Sequence, residues 1–160
     1  MEHPLYNTHV KLLAFDLNSL TQTSFSSGSI SFSCNGALLS RAEAVGTVTS
    51  RDLKPNKFLR FTIDDGTGCI SCILWLNQHS SPYFSRRRPP DVRLIAQTAL
   101  RFAADIKLGV VARVRRKITS YMGVTQKMLR STGPQCLEIL HWLDCINLAR
   151  KVYDFVPHSK

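Results

Sequence analysis

From Ala42 onward the chain is cut into short runs of β-branched and aromatic residues separated by Gly, Asp, Pro and Asn, and no other feature constrains its fold as much. Branched and aromatic side chains fit a pleated surface, and the residues between the runs favour turns. The runs predict strands over 42–50, 57–64, 69–76, 108–119 and 124–131. Asp64-Asp65-Gly66-Thr67-Gly68 stands between two of them and offers acidic turn formers plus two glycines suited to positive φ, which predicts a hairpin. After the third run comes a loop, Ser80 to Pro90, and then Val92, Ile95, Ala99 and Phe102 at helical spacing. Five strands with a helix between the third and the fourth make an OB barrel, whose bottom that helix plugs. The expected class is mostly β, with the barrel spanning 37–131.

The barrel is flanked on both sides. Residues 1–36 read as an N-terminal extension, in which Lys11 to Leu17 is apolar enough to be tethered to a core and the Ser/Thr-rich stretch Ser19 to Ser33 is expected as an extended arm or loop. Behind the barrel, Thr132 precedes Gln135 by three residues, a capping-box spacing, and Pro134 fits the first turn. A helix is expected over 132–156, with a tail at 157–160. Its apolar arc is wider than docking on one small barrel requires. Ile139, Trp142, Leu143, Ile146 and Tyr153 recur at spacings of three and four. This face either packs on the chain's own barrel or receives a partner's helix.

Composition narrows the partner. At 160 residues, with 21 Lys and Arg against 11 acids, the chain carries a formal charge of +10 and favours an acidic polymer, charge alone leaving nucleic acid and an acidic protein or membrane surface open. No apolar run approaches the roughly 20 residues of a membrane span, and the N-terminus has no basic and apolar leader. Five irregularly spaced cysteines fit a reducing compartment. Cys69 and Cys72 have a zinc-knuckle gap, but alternation along a strand sends them to opposite faces, so no metal is expected. No Walker loop, nucleophile elbow or dinucleotide fingerprint occurs, and neither an enzyme nor a cofactor or small-molecule substrate is expected.

The fourth run carries the clearest chemistry. Val110, Ala112, Val114 and Ile118 share one face, while Arg113, Arg115, Lys117, Thr119 and Tyr121 share the other. The first set suits a core. The second is either a solvated face that discourages edge pairing or a row of cations beside a base-stacking ring. Arg116 falls on the apolar phase and is placed at the rim. In the third run Trp75 shares the less apolar face with Cys69, Ser71 and Ile73, so it is either an exposed stacking plate or a core residue. Arg86-Arg87-Arg88, followed by two prolines, is an exposed basic spot suited to nucleic-acid binding, to nuclear import or simply to solvent.

Together, Val45-Gly-Thr-Val48, Ile63-Asp-Asp-Gly-Thr-Gly68, Cys69 to Trp75, Arg113-Val-Arg115 and Arg150-Lys-Val-Tyr-Asp154 resemble the Stn-type small OB subunit of the CST telomere-capping complex, in its short plant form. Lys11-Leu-Leu13 and Cys34-Asn-Gly36 extend the likeness upstream. The Asp-Asp-Gly-Thr-Gly turn before a strand ending in Trp also resembles the middle subunit of replication protein A. The resemblance implies a nuclear, telomeric protein that lays single-stranded G-rich DNA across strands and loops, with Trp75 and Tyr121 as aromatic contacts. Thr119 departs from a basic position in vertebrate relatives; Arg113, Arg115 and Lys117 are expected to compensate. The resemblance further implies a small Ten-type OB partner on Ile139, Trp142 and Leu143 with Asp64 at the edge, and a large CST subunit elsewhere. Two other readings share these residues: a connector subunit with weak DNA contact, and a replication or repair OB subunit.

Overall fold

The computed structural model describes residues 8–24, 30–34, 36–121 and 124–128. Elements follow in the order β1 (His9–Lys11), α1 (Ala14–Asn18), β2 (Thr21–Ser24), β3 (Ile30–Cys34), β4 (Ala37–Leu39), β5 (Arg41–Lys54), β6 (Phe58–Asp64), β7 (Cys69–Trp75), α2 (Pro89–Asp105), β8 (Val111–Tyr121) and β9 (Val124–Met128). The expected helix over 132–156, with Ile139, Trp142, Leu143 and Ile146, lies outside the described residues.

The last five strands form a ring of pairings. β5 runs antiparallel to β6, β6 to β7, β7 runs parallel to β9, and β9 returns antiparallel through β8 to β5. β5 can serve both ring neighbours, and β1 in parallel at its start, because it is 14 residues long and its register shifts between Val48 and Ser50. Its first half pairs with β8 and its second with β6, the bend that a bulge gives a closing sheet. Gly46 sits where the strands crowd: a Cβ there would lie 2.7 Å from the Asp64 carbonyl oxygen.

Inward residues alternate as expected. Leu59, Phe61 and Ile63 of β6, Ile70, Cys72 and Leu74 of β7, and Ala112, Val114 and Ile118 of β8 are all buried. Val110 is a correction: it lies ahead of β8 and is 40% exposed, so the inward phase begins at Ala112. α2 places Ala99, Ala103 and the following Ile106 in the same core, with Phe102 packed against it. Arg51 holds that helix end by donating to the Ile106 carbonyl at 2.8 Å and the Ala103 carbonyl at 3.1 Å. A guanidinium there satisfies carbonyls the helix leaves open and suits its negative end.

The Ser/Thr-rich stretch is a second correction. Within it β2 and β3 are strands, and with β4 they make a three-stranded antiparallel sheet. Period-two alternation explains it, since Phe32 and Cys34 turn into the core while Ser33 between them does not. The serines drew attention to loop chemistry and away from the apolar residues between them. Val10, Leu12, Ala14 and Leu17 also join the core, as the apolar character of that segment led us to expect.

Candidate nucleic-acid interface

The β6–β7 hairpin turns one face to solvent. Counting six residues back from Asp64 and six on from Cys69, the register sets Phe58 opposite Trp75; Arg60 faces Ile73 and Thr62 faces Ser71. Trp75 is 40% exposed. Its ring meets Phe58 edge to face, with centroids 5.8 Å apart and planes at 79°. The Arg60 guanidinium carbon stands 5.4 Å from the Phe58 ring centroid. Across the next pairing, Lys54 of β5 lies opposite Phe58. Two rings and two cations thus share one strip with the carboxylate of Asp52, which lies opposite Arg60 and 3.8 Å from Lys54 Nζ at the surface; the arrangement is able to stack a base and neutralise its phosphate. The sequence singles out Trp75, which is exposed, but not its neighbours Phe58 and Arg60. The signal was present, because the tight turn fixes the register and period two puts both residues on the outer phase.

β8 offers a different surface. Arg113 and Arg115 lie outward, paired with Val45 and Glu43 of β5. Glu43 is 2% exposed, and Arg115 grips its Oε2 through Nε at 2.7 Å and Nη2 at 2.5 Å. Arg113 Nε stands 3.8 Å from Oε1, too long for a hydrogen bond, and that nitrogen is buried with no hydrogen-bond partner among the described residues. Val45, on the same outward phase, is 1% exposed. The two arginines therefore balance a buried carboxylate on a face that leaves Arg115 half exposed. Lys117 lies opposite Arg41, and Tyr121 opposite Val124 at the β8–β9 turn; their side chains lie outside the described part. β9 stands between β7 and β8, so Trp75 and the arginines occupy different sectors of the barrel.

The acidic turn is structural. Asp64 Oδ1 accepts the Gly66 N–H at 2.7 Å, closing the tip, where Gly66 takes φ 85°. Gly68 is not in the positive-φ region, contrary to expectation. Asp65 is 4% exposed; its Oδ2 accepts the Ala14 N–H at 2.7 Å, and its Oδ1 accepts from Thr67 N and Oγ1 at 2.9 and 2.6 Å. Thr67 Oγ1 in turn accepts the Phe15 N–H at 3.1 Å. The turn thus caps α1 from across the chain. Asp16 in α1 has its pKa raised, first by burial and then by the charge of Asp65, against a lowering hydrogen bond from the Leu13 backbone. Cys69 is exposed and Cys72 buried, on the opposite faces that alternation predicts. No group of three potential metal ligands occurs among the described residues.

No family model matches the sequence. The chain is 48% identical over 157 residues to the CST complex subunit STN1 of Arabidopsis thaliana, covering 96% of each chain. Among solved structures, it superposes on a chain of a replication protein A heterotrimer bound to single-stranded DNA with a TM-score of 0.66 and 17% identity, covering 91% of this chain and 98% of that one. It superposes equally on a chain of the S. pombe Stn1–Ten1 complex, with a TM-score of 0.66 and 14% identity, covering 90% and 93%. The last two likenesses establish the OB fold; the first, at its identity and length, establishes that the chain belongs to the STN1 family of CST complex subunits.

Proposed function

We propose that this chain binds single-stranded, G-rich telomeric DNA within a nuclear CST-type complex and protects ends by occupancy, without catalysis. The observation that carries the reading is the open strip of Trp75, Phe58 and Arg60 on the β6–β7 face. A base stacked on such a ring contributes about 1–3 kcal/mol, and the cations beside it suit the phosphate. Tyr121 and Lys117 are retained as contacts of the same strand path, while Arg113 and Arg115 serve Glu43 first and DNA second. The fold shared with a chain of a replication protein A heterotrimer bound to single-stranded DNA supports this reading.

The partner reading rests on sequence spacing alone, the recurrence of Ile139, Trp142, Leu143 and Ile146 at intervals of three and four, which we assign to a small Ten-type subunit with Asp64 at the edge. The pairing in the S. pombe Stn1–Ten1 structure supports it. A large CST subunit completes the assembly.

Titration of labelled single-stranded DNA with the chain, alone and with the small partner, tests the function. Salt-dependent binding that weakens on Trp75→Ala supports it. Absence of binding in both forms favours a connector role instead.

A further inference from the structure

The segment joining β7 to α2 carries three consecutive arginines, Arg86 to Arg88. It is built of closed turns. Gln78, 6% exposed, donates its amide to the Trp75 carbonyl at 2.6 Å, and the Ser81 N–H returns to the Asn77 carbonyl at 2.9 Å. A 3-10 turn over Pro82–Phe84 follows, closed by Ser85 Oγ on the Pro82 carbonyl at 2.7 Å. Tyr83 and Phe84 meet edge to face with centroids 5.1 Å apart, and Arg87 lies over Phe84 at 5.9 Å. Arg88 is engaged elsewhere, forked onto Asp91 at 3.1 and 3.3 Å.

These turns and the start of α2 enclose a cleft of about 400 Å³. Phe84 and Val92 give it apolar walls, Arg87 and Arg93 line it with guanidinium groups, and Ser80 and Ser85 add hydroxyls. Tyr83 stands beside it 75% exposed, its ring open to a flat partner. The volume falls within the range of roughly 300–1,000 Å³ that small-molecule sites occupy. Cations beside an open ring match a nucleotide, whose phosphate needs charge and whose base needs a flat partner; an acidic peptide makes no use of the ring.

We propose that this cleft is a second contact for single-stranded nucleic acid, in which Tyr83 stacks a base while Arg87 and Arg93 hold the adjoining phosphate. The proposal rests on the reading of Trp75 as the first contact. Position makes the two continuous: Gln78 is three residues from Trp75, so their Cα atoms lie no more than about 11 Å apart. A strand leaving the Trp75 ring is therefore expected to reach the cleft within a few nucleotides. The basic run is thus divided in use, Arg88 fixing the start of α2 and Arg87 facing the ligand.

The test uses the full chain with single-stranded DNA of about 6 and about 18 nucleotides, spanning the usual OB site sizes. Tyr83→Ala is expected to weaken the longer oligonucleotide by at least about five-fold and leave the shorter one unchanged. The double variant R87A/R93A is expected to flatten the salt slope for the longer one by about 0.7, the value of one phosphate. Trp75→Ala weakens both lengths. If Trp75→Ala acts and the cleft variants change nothing at either length, the second contact is refuted and the first stands. If only the cleft variants act, the cleft stands and the Trp75 reading fails. Equal loss on binding a poly-glutamate peptide assigns the cleft to acidic chains and also refutes it.

Discussion

The β6–β7 strip and the β5–β8 strip are both outward faces of one barrel with cations on them, yet they differ in what those cations already hold. On β5–β8 a buried Glu43 takes Arg115 in a two-pronged grip and draws Arg113 to 3.8 Å. On β6–β7, Arg60 lies over the Phe58 ring and Trp75 stays open to solvent. A carboxylate out of water demands its partners, because an uncompensated buried charge costs several kcal/mol, whereas an exposed ring gives up little when a base covers it. A cation's presence on a face therefore says less about ligand binding than the company it keeps.

The largest expected effect breaks the comparison directly. Glu43→Ala removes the anchor and leaves Arg113, 27% exposed, without its counter-ion. It should lower stability by roughly 3 kcal/mol in urea unfolding, the low end for breaking a buried pair because Arg115 is half exposed. Glu43→Gln keeps the shape and releases both guanidinium groups. It should tighten single-stranded DNA and steepen the salt slope by up to about 1.4, for two phosphates. An unchanged slope would show that the β5–β8 face is closed to DNA whatever its charge.

Next in size, Trp75→Ala should cost about 2 kcal/mol of DNA binding while the thermal midpoint moves little, since that ring lies outside the core. Replacing Arg60 and Arg113 one at a time with Gln sharpens the contrast further. Arg60→Gln is expected to reduce the salt slope by about 0.7, and Arg113→Gln to reduce stability more than slope. Reversed outcomes would move the DNA track to β8.

The smallest effect lies on neither strip and serves as a control. Because the folded-state pKa of Asp16 is raised, the native protein holds that proton more tightly than the unfolded chain does. The cost of its charge is absent below the unfolded-state value and fully felt above the raised one, so this group disfavours folding as pH rises. Asp16→Asn should raise the melting temperature at pH 7 and lose that advantage at pH 3, with DNA binding unaltered.

Much of the barrel was legible because period two is a local property. β6 and β7 differ from their expected bounds by one residue at one end each, and the inward sets are buried as the alternation dictates, although Ile73 and Val45 of the outward phase are buried as well. Trp75 proved exposed, and the Asp64–Gly68 hairpin formed where it was expected. What escaped was pairwise. Glu43 sits 72 residues from Arg115, so nothing in the neighbourhood of either announces the other. Phe58 could be found only by carrying the register through the turn. The strands of the Ser-rich stretch were hidden because serine content speaks for loops, while Phe32 and Cys34 speak for burial in a sheet that the segment completes with β4.

The grip of Asp65 on the Ala14 amide joins atoms 51 residues apart in the chain. A nascent polypeptide emerging in order therefore exposes its first helix long before the carboxylate that secures it exists outside the ribosome. Until the turn at residues 64–69 has been made, Leu12, Ala14 and Leu17 have no finished pocket to enter. Synthesis itself thus imposes a waiting interval on the leading segment, during which its oily side is available to chaperones or to unwanted neighbours.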